Sequence, residues 1–125
     1  MNTDALTIAR AYHTGWTSKD FDTAVGLLSA QLQVEVPINA YPTTESFAQA
    51  LVAFGSHVRR VDVLSEMAEA NEAMLLYDMD VEGLGTMRVV EHFTVGGGKI
   101  VRLRQIHDTA LLRNTEFVAG DRPTV

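Results

Sequence analysis

The chain has 125 residues, a formal charge of -6, 46% hydrophobic and 21% charged residues, and no cysteine. That length suits one domain with a core of its own, and the missing cysteine excludes disulfides, thiolate metal sites and a cysteine nucleophile. An acidic balance argues against nucleic acid and against anionic membranes, both of which need a basic surface.

The amino terminus, Met1-Asn2-Thr3-Asp4, does not read as a signal peptide, and no apolar run approaches the ~20 residues that span a bilayer. A cytoplasmic protein is expected. Ala5, Ile8, Ala9, Tyr12 and Trp16 then recur at helical spacing, with Thr3 or Asp4 as the cap. Phe21, Ala24, Val25 and Leu28 predict a second, short helix opened by Asp20. Residues 33–38 alternate, with Val34, Val36 and Ile38 on one face, and predict a strand ended by Pro37 and the turn at Asn39–Pro42. A third helix, capped by Thr43 or Thr44, carries Phe47, Ala50, Leu51 and Phe54 and stops near Gly55.

From Arg59 onward the period becomes strand-like. Four strands are expected, at about 59–69, 73–82, 86–95 and 99–108, with turns at Asn71, Gly83–Gly85 and Gly96–Gly98. Connections this short force antiparallel hairpins. The fold class is α+β: three N-terminal helices packed on a curved, mainly antiparallel sheet. The domain is placed at 1–113, with a tail at 114–125 whose Phe117-Val118 pair suits a pocket mouth or a partner subunit.

Alternation in the third of these strands sets Met87, Val89, Glu91, Phe93 and Val95 on one face. Glu91 is a carboxylate where an apolar residue belongs. Two readings are open: a proton-transfer group whose pKa burial raises, or a core glutamate satisfied by Tyr12, Gln105 or a buried water. Leu75, Tyr77, Met79 and Val81 share a face, as do Val101, Leu103, Gln105 and His107, and both sets are placed inward. His92 points away from Glu91 and does not pair with it. His13 and His57 are placed near helix surfaces and given no role.

Asp78, Asp80 and Glu82 put three carboxylates on one strand face, but alternate residues stand ~6–7 Å apart, too far to wrap one ion unaided. Pairing of Asp80 with Arg88 across a hairpin explains the charges, and no metal is expected. The Gly96–Gly98 run leads into a strand instead of a helix amino terminus, so it is a hairpin turn and not a phosphate loop. No cofactor is expected.

The order of elements, with Trp16-x3-Asp20-Phe21-Asp22 and Gly98-Lys99-Ile100, resembles the nuclear-transport-factor-2-like superfamily over roughly residues 3–110. The resemblance is to its SnoaL-like, or polyketide-cyclase-like, branch. It implies a cone-shaped α+β barrel around one pocket, and a homodimer through the exposed sheet face. The superfamily includes ketosteroid isomerases, epoxide hydrolases, cyclases, dehydratases and binding modules, so fold alone names no activity.

Against the isomerase pattern, Tyr12 matches the first-helix tyrosine that donates to the substrate oxyanion, and Glu91 falls where an aspartic acid is the second donor. The aspartate base does not match, because Val36 precedes Pro37. The limonene-epoxide-hydrolase pattern needs an aspartate where Gln105 stands in Arg104-Gln105-Ile106-His107-Asp108. Neither mechanism is expected. Polyketide cyclases are similar in size and in having polar residues, here His107 and Asp108, at the end of the last strand.

The resemblance and the residues together give Glu91, Tyr12 and His107 as candidate catalytic groups. Trp16, Val36, Phe54, Tyr77, Gln105 and Asp108 are candidate pocket residues. Two function classes follow: a cofactor-free acid/base enzyme of isomerase, cyclase or lyase type acting on a small apolar molecule, or a non-catalytic binding or dimerisation module.

Overall fold

The computed structural model describes residues 4–113 and 115. Asp4 opens helix α1 (Ala5–Thr17), its carboxylate accepting from the Thr7 amide at 2.8 Å and so satisfying a first-turn donor that has no helical partner. Ile8, Ala9, Tyr12 and Trp16 form its buried face. His13 is buried among them, not near the helix surface as expected. The buried face is wider than one apolar stripe, because α1 packs on the sheet and, through Gly15, on Ala24 of α2 (Phe21–Gly26). A Cβ at Gly15 would meet the Ala24 amide nitrogen at 3.2 Å.

Helix α2 ends at Gly26, so Leu28, expected on its apolar face, instead starts strand β1 (Leu28–Glu35). The strand begins and ends earlier than alternation over 33–38 predicts. Its extent follows from its partner, β5 (Lys99–His107), to which it runs parallel from Leu28 opposite Ile100 to Glu35 opposite Arg104. Beyond that, Pro37 has no amide to give a ladder, and Val36 and Ile38 leave the sheet. Helix α3 (Thr44–Gly55) follows, with a capping box in which Thr43 and Ser46 serve each other's amides. The Lys19 ammonium donates to the carbonyl of Gly55, the last residue of α3, and to that of Val58 just beyond it.

The rest is a meander of β2 (Val58–Glu69), β3 (Glu72–Val81), β4 (Gly85–Gly96) and β5, giving the sheet order β1-β5-β4-β3-β2. Gly97 and Gly98 form the two-residue turn between β4 and β5, both with positive φ (61° and 78°). That conformation suits the twist of a hairpin and is open to glycine without strain. A three-residue loop closes the β3–β4 hairpin at Val81 opposite Gly85, which sets Arg88 opposite Asp78. The bidentate pair there, at 2.7 and 2.9 Å, replaces the expected Asp80–Arg88 pair. Asp80 faces Thr86 and lies 3.8 Å from Arg59.

The sheet's inner face carries Leu75, Tyr77, Val89, Phe93 and Leu103, all essentially without solvent exposure. Burial of each such side chain contributes roughly 1.5–3 kcal/mol. Helix α1 lies against β2, β3 and β4. A register shift between Thr94 and Val95 makes Ile100, not Val101, the fully buried neighbour of Leu103 at the start of β5. The outer face is different: Met67, Met74 and Ile106 are exposed there. His92 also lies on that side and contacts Glu72 at 2.7 Å. No helix among the described residues is long and apolar enough to cross a membrane.

Candidate functional site

Glu91 sits in the middle of β4, between Val89 and Phe93 on the inner face, with Leu75 and Gln105 as its cross-strand partners. Only 1% of its surface is exposed. Both carboxyl oxygens have donors. The Tyr77 hydroxyl, from β3, donates to Oε1 at 2.9 Å, and the Gln105 amide, from β5, donates to Oε2 at 2.8 Å. Burial raises the Glu91 pKa to about 7, and the bonds from Gln105 and Tyr77 pull in the opposite direction. A proton is therefore nearly balanced on this group at neutral pH.

Beside this trio lies a cavity of about 260 Å³. Its floor is the inner sheet face, and its walls include Trp16, Phe47, Leu51 and Phe54 from the helices. Ile38, Asn39 and Tyr41, from the segment between β1 and α3, complete one side, and Leu112 lines it from the turn after β5. Asn39 has φ 73° and its side-chain amide donates to the Tyr41 hydroxyl at 3.1 Å. The volume exceeds the ~150 Å³ of a cavity known to take benzene, so a one- or two-ring molecule fits.

The expected residues converge with one exception. Tyr12, Trp16, Val36, Phe54, Tyr77, Glu91, Gln105 and His107 all line this cavity. Asp108 does not join them. It is exposed, and its carboxylate accepts from the Ala110 amide at 2.8 Å, capping the turn that follows β5. The roles within the set also differ from expectation. Tyr77, not Tyr12, is the tyrosine that holds Glu91. The Tyr12 hydroxyl is fully buried with no hydrogen-bond partner among the described residues, and its ring meets Phe93 edge-on at 5.7 Å. Burial and then the charge of Glu91 hold its pKa well above the usual tyrosine value.

His107 Nδ1 lies 3.0 Å from the Asp108 backbone carbonyl. A carbonyl can only accept, so the neutral ring is assigned its proton at Nδ1, leaving Nε2 as an acceptor. Sequence reasoning did not assign Ile38, Asn39, Tyr41 or Leu112 to the pocket, nor the lining residues Phe47, Leu51, Met79, Met87 and Val89, which it read only as apolar faces. Ile38 and Tyr41 flank a turn between two prolines, and large apolar side chains in such a turn were the available signal. The tail reading, including Phe117-Val118, lies outside the described residues.

The family model for the SnoaL-like domain matches residues 9–103. The chain belongs to that family. Among solved structures, this SnoaL-like domain is similar to a protein from Kribbella flavida DSM 17836, at 32% identity and a TM-score of 0.83, covering 89% of this chain and 92% of that one. It also matches an NTF2-like protein of unknown function from Cytophaga hutchinsonii ATCC 33406, at 16% identity and TM-score 0.79 over 90% and 96% of the two chains. A third match is an LEH-like epoxide hydrolase of M. tuberculosis, at 20% identity and TM-score 0.69 over 84% and 83%. The last two likenesses extend to the fold alone. No curated protein matches.

Proposed function

We propose that this SnoaL-like domain binds a small, mostly apolar molecule in the cavity and exchanges a proton with it through Glu91. The observation that carries this reading is a fully buried carboxyl, with a pKa near 7, at the wall of an apolar cavity. A group so placed gives or takes a proton at neutral pH with little driving force wasted in either direction. The reaction class is cofactor-free acid/base chemistry of isomerase, cyclase or lyase type. Two solution measurements test it. Native mass spectrometry of freshly purified protein should reveal a retained small molecule, and the carboxyl carbon signal of Glu91 should change its titration midpoint when that molecule is removed. An unchanged midpoint would exclude Glu91 as the proton partner.

One observation favours a non-catalytic binding module instead: both Glu91 oxygens already have donors from the chain itself. A network so complete can be structural. If the retained molecule is recovered chemically unchanged after long incubation, the module is the better description.

The reading also includes a homodimer. Met67, at 67% exposed, Ile106, at 69%, and Met74 form an apolar strip on the outer sheet face. Strips of this kind mark association sites, and the sedimentation coefficient should fall to that of a monomer in Ile106→Lys.

A further inference from the structure

The cavity's polar groups share a property that its apolar walls conceal. Among the described residues that line it there is no lysine and no arginine. Three of its polar side chains commit donor protons to the chain itself. The Tyr77 hydroxyl and the Gln105 amide donate to Glu91, and His107 Nδ1 donates to the Asp108 carbonyl. What these groups have left is the remaining acceptor sites of Glu91, the Tyr77 oxygen and His107 Nε2, with a second Gln105 N–H, while the Tyr41 hydroxyl accepts from Asn39 and keeps its proton. The Tyr12 hydroxyl, buried and without a partner among the described residues, accepts as readily as it donates.

With Glu91 as its acidic group and no cationic side chain in the described lining, the pocket is poor at holding an anion and well suited to a ligand that brings its own protons. The remaining lining points the same way. Tyr12, Trp16, Tyr41, Phe47, Phe54 and Tyr77 surround the space, and aromatic rings attract a cation through their electron-rich faces, most strongly where water is excluded. A net charge of -6 adds a long-range bias toward positive molecules. From these observations we infer that the ligand class of this pocket is a monocationic amine: one protonated nitrogen on a one- or two-ring apolar body. The inference rests on the proposed ligand-binding reading and names its chemistry.

Burying an ammonium next to Glu91 is tolerable only as a pair, since each charge alone is expensive to desolvate. A neutral amine entering while Glu91 is protonated forms that pair directly: the O–H bond breaks, an N–H bond forms, and the carboxylate keeps the electron pair. The donors from Tyr77 and Gln105 already favour the ionised form. Polyamines and dications are excluded, because the Glu91 carboxylate is the one acidic side chain in the described lining.

The test uses three probes of nearly equal shape: 2-phenylethylamine, 2-phenylethanol and phenylacetate, titrated calorimetrically into the intact protein at pH 8 and pH 5.5. The amine should bind at least tenfold more tightly than the alcohol at pH 8, with phenylacetate undetectable. Its affinity should fall about 30-fold at pH 5.5, as Glu91 takes up a proton while the amine stays charged. In Glu91→Gln the amine should lose its advantage over the alcohol. The wild-type comparison stands by itself if that variant folds poorly. Alcohol binding that equals or exceeds amine binding would overturn the amine class and leave the pocket reading intact. If none of the three binds and no molecule is retained on purification, both fail.

Discussion

Glu91 and His13 are two buried ionisable side chains on either side of Tyr77, and the fold treats them in opposite ways. Tyr77 donates its hydroxyl to Glu91 and presents its ring to His13, with centroids 4.7 Å apart at 61°. Glu91 has a donor for each oxygen. His13 has no hydrogen-bond partner for either nitrogen among the described residues and packs edge-on against Trp16 as well. Burial dominates both shifts. It raises Glu91 to about 7, where its two donors check the rise, and lowers His13 to about 4. The lesson is that partners, not burial alone, decide whether a buried group stays titratable near neutrality. Glu91 is poised to titrate near neutrality, while His13 is a neutral ring used for packing.

The largest effects come from breaking this pair. Glu91 has its pKa raised on folding, so its contribution is fully present below the unfolded value near 4.5 and is lost as pH rises to about 7. His13 has its pKa lowered, so its contribution is present above 6.5 and is lost as pH falls toward 4. Each window amounts to about 3 kcal/mol, and because the two run in opposite directions the wild-type profile should look flat. Denaturant melts from pH 4 to 8 should unmask them. Glu91→Gln should gain on wild type as pH rises, and His13→Phe should gain as pH falls. Parallel profiles for wild type and both variants would remove the contrast altogether.

A smaller effect tests the shared residue. Tyr77→Phe keeps the ring against His13 and removes one donor from Glu91. Stability at pH 8 should drop by about 2 kcal/mol, with a much smaller loss at pH 5, and the Glu91 midpoint should rise above 7. Smaller again is the outer face, where Arg88→Ala breaks an exposed bidentate pair with Asp78 and should cost under ~1 kcal/mol. The least is Tyr12→Phe. Its hydroxyl has no partner to lose among the described residues, so stability should stay within about 0.5 kcal/mol of wild type or improve. A loss above ~1.5 kcal/mol would mean that a bound water serves that hydroxyl.

Much of this arrangement was legible from residue order. A carboxylate interrupting the alternation Met87, Val89, Phe93, Val95 signalled Glu91, because within a regular stretch a strand's period of two fixes which face a residue takes; across the register shift at Thr94/Val95 it failed for Val101. Tyr77, Gln105 and His107 followed from the same parity. What stayed hidden depends on quantities that parity does not carry. The exact hairpin register decided between Asp78 and Asp80 as the partner of Arg88, and it is set by a one-residue shift in where the three-residue loop sits, at 82–84 instead of 83–85. His13 was misplaced because the width of a helix's buried face is fixed by its neighbours, here α2 and the sheet, and not by its own apolar stripe. β1 was shifted because an edge strand's extent is set by its partner β5. Asp108 was given to the pocket, but the chain turns at that point and uses its carboxylate as a cap.

The parallel pairing of β1 with β5 bears on how the molecule is assembled. Strands β2 to β5 can zip together as neighbouring hairpins, each closing a short loop. β1 emerges earlier than all of them, yet its partner is the final strand of the sheet. During synthesis, which proceeds from the amino terminus, β1 therefore waits unpaired until residues 99–107 appear. The same strand delivers Gln105 and His107, so the sheet edge and the cavity's polar end are completed in a single step.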